Sequence, residues 1–468
     1  MTTAGWPLGS TTLRQRTEVA VADPVLRRNI ATAIDRFGPA RSAAYDRIHD
    51  ADGLRRAARG VRGAVLTDWA GVLERLADQV LANGGHVCWA VDGAAANAYI
   101  AEVARRTGAR TAVKSKSMAT EETGLNEALA DAGCTVTETD LGEWIIQLAG
   151  EHPSHIIAPA VHRNRHQIAD TFEASAGLLE RTTEPTELTA FARGELRRRF
   201  IEADLGITGA NLGVAETGSV VLVTNEGNAR MVTSLPRVHV AVMGAERIVD
   251  TWDQADLILG LLSKAATGQV LTTYTSIVTG ARRDGEVDGP DEFHLVILDN
   301  GRSAIAGTEF AEMLNCIRCG ACLNVCPVYR QTGGHAYGWV YSGPMGAVLT
   351  PLLAGEDPHA AELANASSLC GACMEACPVE IPLQDLLLGL RRKKAAGAGA
   401  AERGMWKAWA AAWSRPGAYR ASGWAATRGR RLAPLLGRLP GATRWTATRT
   451  PPAPAARTFT ERWKAGEV

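Results

Sequence analysis

The sequence predicts an α/β domain followed by a small helical domain built around clustered cysteines. Three observations carry this prediction. Between Trp69 and Asn300 short apolar runs alternate with amphipathic helical stretches. After Asn300 the strand signals stop. Seven of the nine cysteines then fall in two runs, "CIRCGACLNVCPVYR" at 316–330 and "SLCGACMEACPVEIP" at 368–382. A chain of 468 residues exceeds what one core usually serves, so several domains are expected. Its 46% hydrophobic and 21% charged residues are those of a globular protein in water.

In chain order, residues 1–68 carry apolar residues at helical spacing around "VLRRNIATAIDRF" and read as a helical scaffold. Residues 69–300 form the α/β domain, with strands expected at "HVCWAV", "HIIAPAV", "SVVLVT", "HVAVMG" and "FHLVILD". "NEGN" at 225–228 reads as a hairpin-type turn. Residues 301–395 hold both cysteine runs and the helix-like "EIPLQDLLLGLRRKK". Within them, 336–355 is uncharged, but Gly338, Gly343, Pro344, Gly346 and Pro351 interrupt it, so a buried loop and short helix is expected rather than a membrane span. Residues 396–468 begin as a helix and end as an extended, Pro-rich arm.

No N-terminal stretch has the order of a signal peptide, so the expected location is the cytoplasm. In that reducing compartment clustered cysteines are metal or cluster ligands rather than disulfides. Cys316, Cys319, Cys322 and Cys326 with Pro327 have the C-x2-C-x2-C-x3-C-P spacing that wraps a cubane iron-sulfur cluster, the fourth thiolate reaching a second cube. A lone run therefore calls for a partner, and Cys370, Cys373 and Cys377 with Pro378 supply it. The crossover assigns Cys316, Cys319, Cys322 and Cys377 to cluster one, and Cys326, Cys370 and Cys373 to cluster two. Zinc sites pair C-x2-C units into one closed tetrahedron, a habit that neither run follows.

The second run lacks its first cysteine, and Ser367 stands in that place. Cluster two is then a four-iron cube with a serine, water or exogenous fourth ligand, or a three-iron cluster. A neutral hydroxyl is a poorer iron ligand than a thiolate, so Ser367 reads first as the cap of a turn. Two adjacent one-electron centres suit electron relay, while an incompletely ligated cube leaves chemistry at cluster two open.

In the α/β domain, Lys114, Lys116, Asn211, Glu216, Thr217, Asn225 and Glu226 sit in glycine-punctuated loops beside strands, with Gly218 and Gly227 at the turns, and are candidates for a pocket at strand ends. Solvated loop chemistry explains them equally well. Neither G-x-G-x-x-G nor a P-loop occurs, so no nicotinamide or ATP site is supported. His162 and His166, four apart on an expected helix, lack an obvious third ligand and read as a solvated face.

The stretches "KSKSMATEETGLNEAL", "GITGANLGVAETGSVVLVTNEGNARM" and "LPRVHVAVMGAERIV", with both cysteine runs and "RTFTERW", resemble the LutB (LldF) family, the iron-sulfur subunits of the bacterial L-lactate utilisation system. The resemblance spans essentially the whole chain. It implies a lactate-utilisation (LUD) domain of the NagB/CoA-transferase-like type and an α-helical ferredoxin domain with two clusters, held by the same seven cysteines. It also implies work beside a LutA-like cysteine-rich subunit and a LutC-like LUD subunit, jointly oxidising L-lactate to pyruvate while this chain carries electrons. Two alternatives remain at this point: a stand-alone oxidoreductase acting at cluster two, and acyl transfer through Glu216 by analogy with the glutamate of CoA transferases.

From Arg391 onward there are 17 Lys and Arg against 3 Asp and Glu, which leaves 33 against 47 before it. The tail is strongly basic and carries half of the 12 Trp, with Trp406, Trp409 and Trp413 on one helical face. Docking on an acidic protein surface is the expected use, with peripheral contact to an anionic membrane as the alternative. No nucleic-acid motif accompanies the charge.

Overall fold

A computed structural model describes residues 11–355, 357–397, 399–432, 446, 449 and 453–467. Residues up to Arg392 form one compact unit, and those from Lys393 a second.

The first unit begins with α1 (Leu13–Ala22), α2 (Pro24–Tyr45) and α3 (Ala51–Thr67). Thr12 and Gln15 close a capping box on α1, and Asp23 caps α2 ahead of Pro24 at its first turn. These helices pack along the cysteine-bearing segment. Arg16 Nε donates to the Ala336 carbonyl at 2.9 Å, Arg330 pairs with Asp35 at 2.8 Å, and Arg55 Nε donates to the Cys377 carbonyl at 3.1 Å. The N-terminal scaffold thus covers the region that carries the thiols, a relation with no sequence signal.

Among the described residues ten strands follow: β1 (His86–Ala90), β2 (Thr111–Lys114), β3 (Thr135–Glu138), β4 (Leu205–Gly209), β5 (Leu212–Val214), β6 (Ser219–Thr224), β7 (Val238–Gly244), β8 (Ile248–Val249), β9 (Tyr274–Val278) and β10 (Glu292–Leu298). Six make a fully parallel sheet in the order β1-β10-β7-β4-β2-β3. A parallel sheet needs helices on both faces, so its inner strands are mostly apolar. All seven residues of β7 are buried, as are Phe293 to Leu298 of β10. Each such aliphatic or aromatic side chain contributes roughly 1.5–3 kcal/mol on leaving water, which is why both strands lie inside the sheet and not at its edge. A second sheet, β8-β5-β6-β9, is mixed. Its Val220 and Leu222 share a core with Met243, Leu295 and Leu76.

Two local expectations are corrected. "HIIAPAV" (155–161) is bends and turns rather than a strand. His155 is buried, and its Nδ1 accepts the backbone N–H of Ile157 and of Ala158, which closes a turn. "NEGN" does not make a hairpin, because β6 and β7 lie in different sheets. Gly227, at φ +71°, instead caps the helix Asn228–Ser234. The expectation for 336–355 agrees with the structure: a short 3-10 turn at His335–Tyr337 leads to the helix Gly343–Leu353, buried from Gly343 to Thr350. Among the described residues no helix is long and apolar enough to cross a membrane.

In the second unit, Ala400–Trp413 and Pro416–Arg428 are helices without buried residues. Trp406, Trp409 and Trp413 remain about half exposed, at 55%, 52% and 50%. The arm expected to be extended contains the helix Phe459–Lys464, started by a capping box between Thr458 and Glu461. Of the Pro-rich 450–456 stretch before it, 450–452 lie outside the described residues.

A buried chain of charges joins the sheet to the first cysteine run. Arg302 binds both oxygens of Glu122 at 2.8 Å and reaches Glu246 through Nε at 2.6 Å. Arg318 takes the other Glu246 oxygen at 2.7 Å, while Asn300 and the Tyr341 hydroxyl donate to Glu122. Gly244 is required beside it, since a Cβ there would lie 2.5 Å from a Glu246 carboxylate oxygen. Arg302→Leu strands two buried carboxylates, so unfolding free energy should fall by about 3–5 kcal/mol. The urea midpoint measures this, and a midpoint equal to that of the parent would refute it.

Candidate functional site: the paired cysteine runs

The two runs fold alike. A left-handed residue precedes the second cysteine of each pattern, Arg318 at φ +57° and Leu369 at φ +56°, and a left-handed glycine follows it, Gly320 at +77° and Gly371 at +87°. Short helices Ala321–Asn324 and Ala372–Ala376 come next. Left-handed backbone strains a side chain and suits glycine, so the repetition of the sequence Xaa-Cys-Gly with these angles defines a common turn. It places Cys319 in line with Cys370, Cys322 with Cys373, Cys326 with Cys377, and Cys316 with Ser367.

The seven thiols separate into two neighbouring groups. Cys316, Cys319, Cys322 and Cys377 line one cavity whose other walls include Ile156, Ile317, Met345, Ile381 and Leu383. Cys326, Cys370 and Cys373 act electrostatically on one another, and Cys322 feels Cys373 across the boundary. Burial, reinforced by neighbouring thiols, pushes Cys319 and Cys322 far up, and Cys373 up to about 12. Burial raises Cys377 to about 11. Cys370 is the exception: it is exposed and lowered by the Ala372 backbone N–H. Soft donors crowded this closely carry charge only when they share a cation, and a coordinated thiol is deprotonated outright. Such a donor set fits iron-sulfur clusters.

Backbone donors orient the sulfurs. The N–H groups of Arg318, Tyr329 and Ile381 point at Cys316, Cys326 and Cys377, each at 3.4 Å. Ser367 Oγ accepts the Leu369 N–H at 3.1 Å, the counterpart of the Arg318 bond to Cys316. The serine thus performs the turn-capping role that the missing cysteine would also have filled.

A larger cavity, about 270 Å³, lies in the α/β domain against the first cysteine run. Of the pocket candidates, Lys116, Asn211, Asn225 and Glu226 line it. Burial first and Asp140 second push Glu226 up to about 7, although solvent still reaches its carboxyl. The other three candidates lie elsewhere. Lys114 is fully buried between Glu121 and Glu138, both at 2.7 Å. Glu216 is exposed and accepts the Trp252 N–H at 2.9 Å, and Thr217 bonds Ser219 at 2.8 Å. Arg247, Arg302, Arg318 and Tyr341 line the cavity without having been singled out. The only hint in the sequence was Arg318, charged and lodged between two cysteines.

His162 and His166 do not share a helix face. The helix begins at Arg165, and His162 is buried with Nε2 bonded to Glu151 at 2.8 Å, while His166 is exposed. Arg163 joins Glu151 as well, so this is a half-buried polar cluster rather than a solvated helix face.

Three family models match the chain: the LUD domain over residues 73–298, the 4Fe-4S dicluster domain over 312–381, and Lactate utilisation protein B, C-terminal, over 389–468. Relatives agree. Lactate utilization protein B of Shouchella clausii is 51% identical over 81% of this chain and 79% of its own. The proteins of that name from Oceanobacillus iheyensis and Bacillus velezensis are 46% and 45% identical. They cover 97% and 98% of this chain and 96% and 98% of their own.

Proposed function

The chain belongs to the lactate utilization protein B family, and on that premise we propose that it is the iron-sulfur electron carrier of a complex that oxidises L-lactate to pyruvate. The observation that carries this is the crossing of the two runs, which brings Cys377 into the cavity of Cys316, Cys319 and Cys322. In this reading those four hold one [4Fe-4S] cluster, and Cys326, Cys370 and Cys373 hold a second whose fourth ligand is not a cysteine of this chain. The clusters supply one-electron storage at two adjacent points. The chain's own residues do the rest. Ile156, Ile317 and Met345 shut water from the first group, whereas Cys370 leaves the second open to the surface, the side on which electrons pass to or from a partner.

The finer assignments belong to the same proposal: an α/β domain of the NagB/CoA-transferase-like type over 69–300, an α-helical ferredoxin domain over 301–395, and a basic tail over 396–468. LutA-like and LutC-like subunits are the proposed partners, in the cytoplasm. Neither alternative gains from the geometry. Glu216 lies outside the 270 Å³ cavity, which removes the support for acyl transfer, and Ser367 caps its turn. The exposed Trp406, Trp409 and Trp413 form an aromatic ridge, Trp409 and Trp413 stacked with centroids 5.4 Å apart and Trp406 edge-on to Trp409 at 5.9 Å. Rigid aromatic anchors beside basic residues suit a groove on an acidic partner.

In anaerobic protein, Cys319→Ala should abolish one EPR-visible cluster and spare most of the other. Cys370→Ala should do the reverse, and loss of the same signal in both variants would overturn the assignment. Ser367→Ala should leave the second signal nearly unchanged, whereas Ser367→Cys should shift it toward a fully thiolate-ligated cube; a cluster lost in Ser367→Ala would make the serine a ligand. Deleting 396–468 should preserve both spectra and weaken co-purification with the partner subunits. Salt-sensitive pelleting with anionic liposomes that disappears on truncation while assembly survives would point to the membrane instead.

A further inference from the structure

At the end of the parallel sheet where β1 and β10 begin, three side chains able to hold a metal meet: His86, Glu292 and His294. The two strands are parallel neighbours with His86 directly opposite His294, and the imidazole rings stack with centroids 4.6 Å apart. Glu292, two residues before His294, lies on the same face because side chains alternate along a strand. One donor atom from each of the three lies within 4.8 Å of the other two. The helix Gly93–Thr107 packs against β1 and β10 and supplies two further groups. The Tyr99 hydroxyl is 2.8 Å from His294 Nδ1, and Arg106 binds both oxygens of Glu292. The 270 Å³ cavity lies at the opposite, carboxyl end of the strands, against Gly209 and Gly244.

His294 Nε2 lies 3.3 Å from Glu292 Oε2. That is long for a hydrogen bond to a carboxylate. It is the spacing of two donors on one metal, because zinc bonds of about 2.0–2.2 Å set tetrahedral donors roughly 3.3–3.6 Å apart. We propose that His86, Glu292 and His294 bind a zinc ion, through Nε2 of His294, a ring nitrogen of His86 and a carboxylate oxygen of Glu292. Two imidazoles and a carboxylate are a donor set that zinc uses, whereas magnesium prefers oxygen ligands and water. The outer contacts fit as well. A histidine that binds metal through one nitrogen gives its other N–H to a fixed partner, and a ligating carboxylate is itself hydrogen-bonded. Tyr99 and Arg106 stand in those two positions. Cys88, two residues along β1 from His86, is not among these close donors.

Among the described residues β1 is an edge strand, paired with β10 alone. Zinc held by His86 and by two side chains of β10 joins the first residue of that edge to its inner neighbour. The unfolded chain has no such arrangement, so occupancy stabilises the edge. His86 is exposed, which lets the ion exchange with solvent and leaves the fourth tetrahedral position to water.

The test uses the full chain, anaerobically loaded with iron and sulfide, in equilibrium dialysis against radioactive zinc. One saturable zinc per chain is expected, undisturbed by a hundredfold excess of magnesium and with the iron-sulfur spectra unchanged. His86→Ala and Glu292→Gln should each weaken zinc at least tenfold, and Tyr99→Phe about tenfold. His86 is exposed at the start of an edge strand, so its variant keeps the fold even where replacement of the buried His294 does not. Zinc should also slow amide hydrogen exchange over 86–90 in the parent and not in His86→Ala. Equal zinc affinity in the parent and in His86→Ala would overturn the site, as would zinc taken up only with loss of iron, which places it on the cysteines. The site does not rest on the cluster reading. A chain that fails to take up iron counts against that reading, and the difference between the parent and His86→Ala then decides the zinc site.

Discussion

The connection between sheet and cysteine run depends on one buried chain of charges, Glu122–Arg302–Glu246–Arg318. Buried ion pairs seldom add net stability, because desolvation offsets most of their attraction. Their effect is geometric. Arg302 has both Glu122 oxygens and one Glu246 oxygen at 2.6–2.8 Å, so no member can shift without stranding another. Glu122 comes from a helix after β2, Glu246 from the turn after β7, and Arg302 from the first residue of the short helix Arg302–Ala306 after β10. The ends of three sheet segments are thereby locked to the residue between Cys316 and Cys319.

That lock explains why the 270 Å³ cavity and a thiol group share a wall. Ile156 and Arg318 belong to both. The segment 155–161 cannot be a strand there, since its backbone must turn to put His155 against Asn324 at 3.0 Å and Ile156 against the sulfurs. On the far side α3 contributes Arg62, fully buried, whose guanidinium binds the carbonyls of Ile248, Glu246 and Leu314. Burial, then Arg247, lowers it to about 10. The buried guanidinium groups of Arg62, Arg247, Arg302 and Arg318 stand against only Glu122 and Glu246, an imbalance suited to a neighbouring group of thiolates.

The cysteine chemistry was legible because ligand spacing is a property of a short chain segment: three thiolates in two tight turns need C-x2-C-x2-C wherever the segment sits. The α/β domain was legible for a similar reason, since strands buried on both faces are mostly apolar, as β7 and β10 are apart from His239, Glu292 and His294. The candidate cavity was legible only in part. Lys114 and Lys116 are two residues apart on one extended segment, so their side chains share a face in a regular strand. The strand ends at Lys114, however, leaving it buried between Glu121 and Glu138 while Lys116 reaches the cavity. Glu216 looked chemical from its glycine-rich setting but only caps a turn at Trp252.

By itself the sequence determined the two cysteine runs and their spacing, the largely apolar strands and the basic, Trp-rich tail. These follow from local spacing and from composition, which do not depend on what packs nearby. Tertiary structure alone decided that α1, α2 and α3 cover the cysteine segment, that Ser367 completes the same turn as Cys316, and that Arg247, Arg302 and Arg318 meet at one cavity. Charges meeting there include Arg302 and Glu246, 56 residues apart in the chain. No periodicity encodes such a meeting. It arises because desolvated charges must find partners once the sheet has placed their backbones.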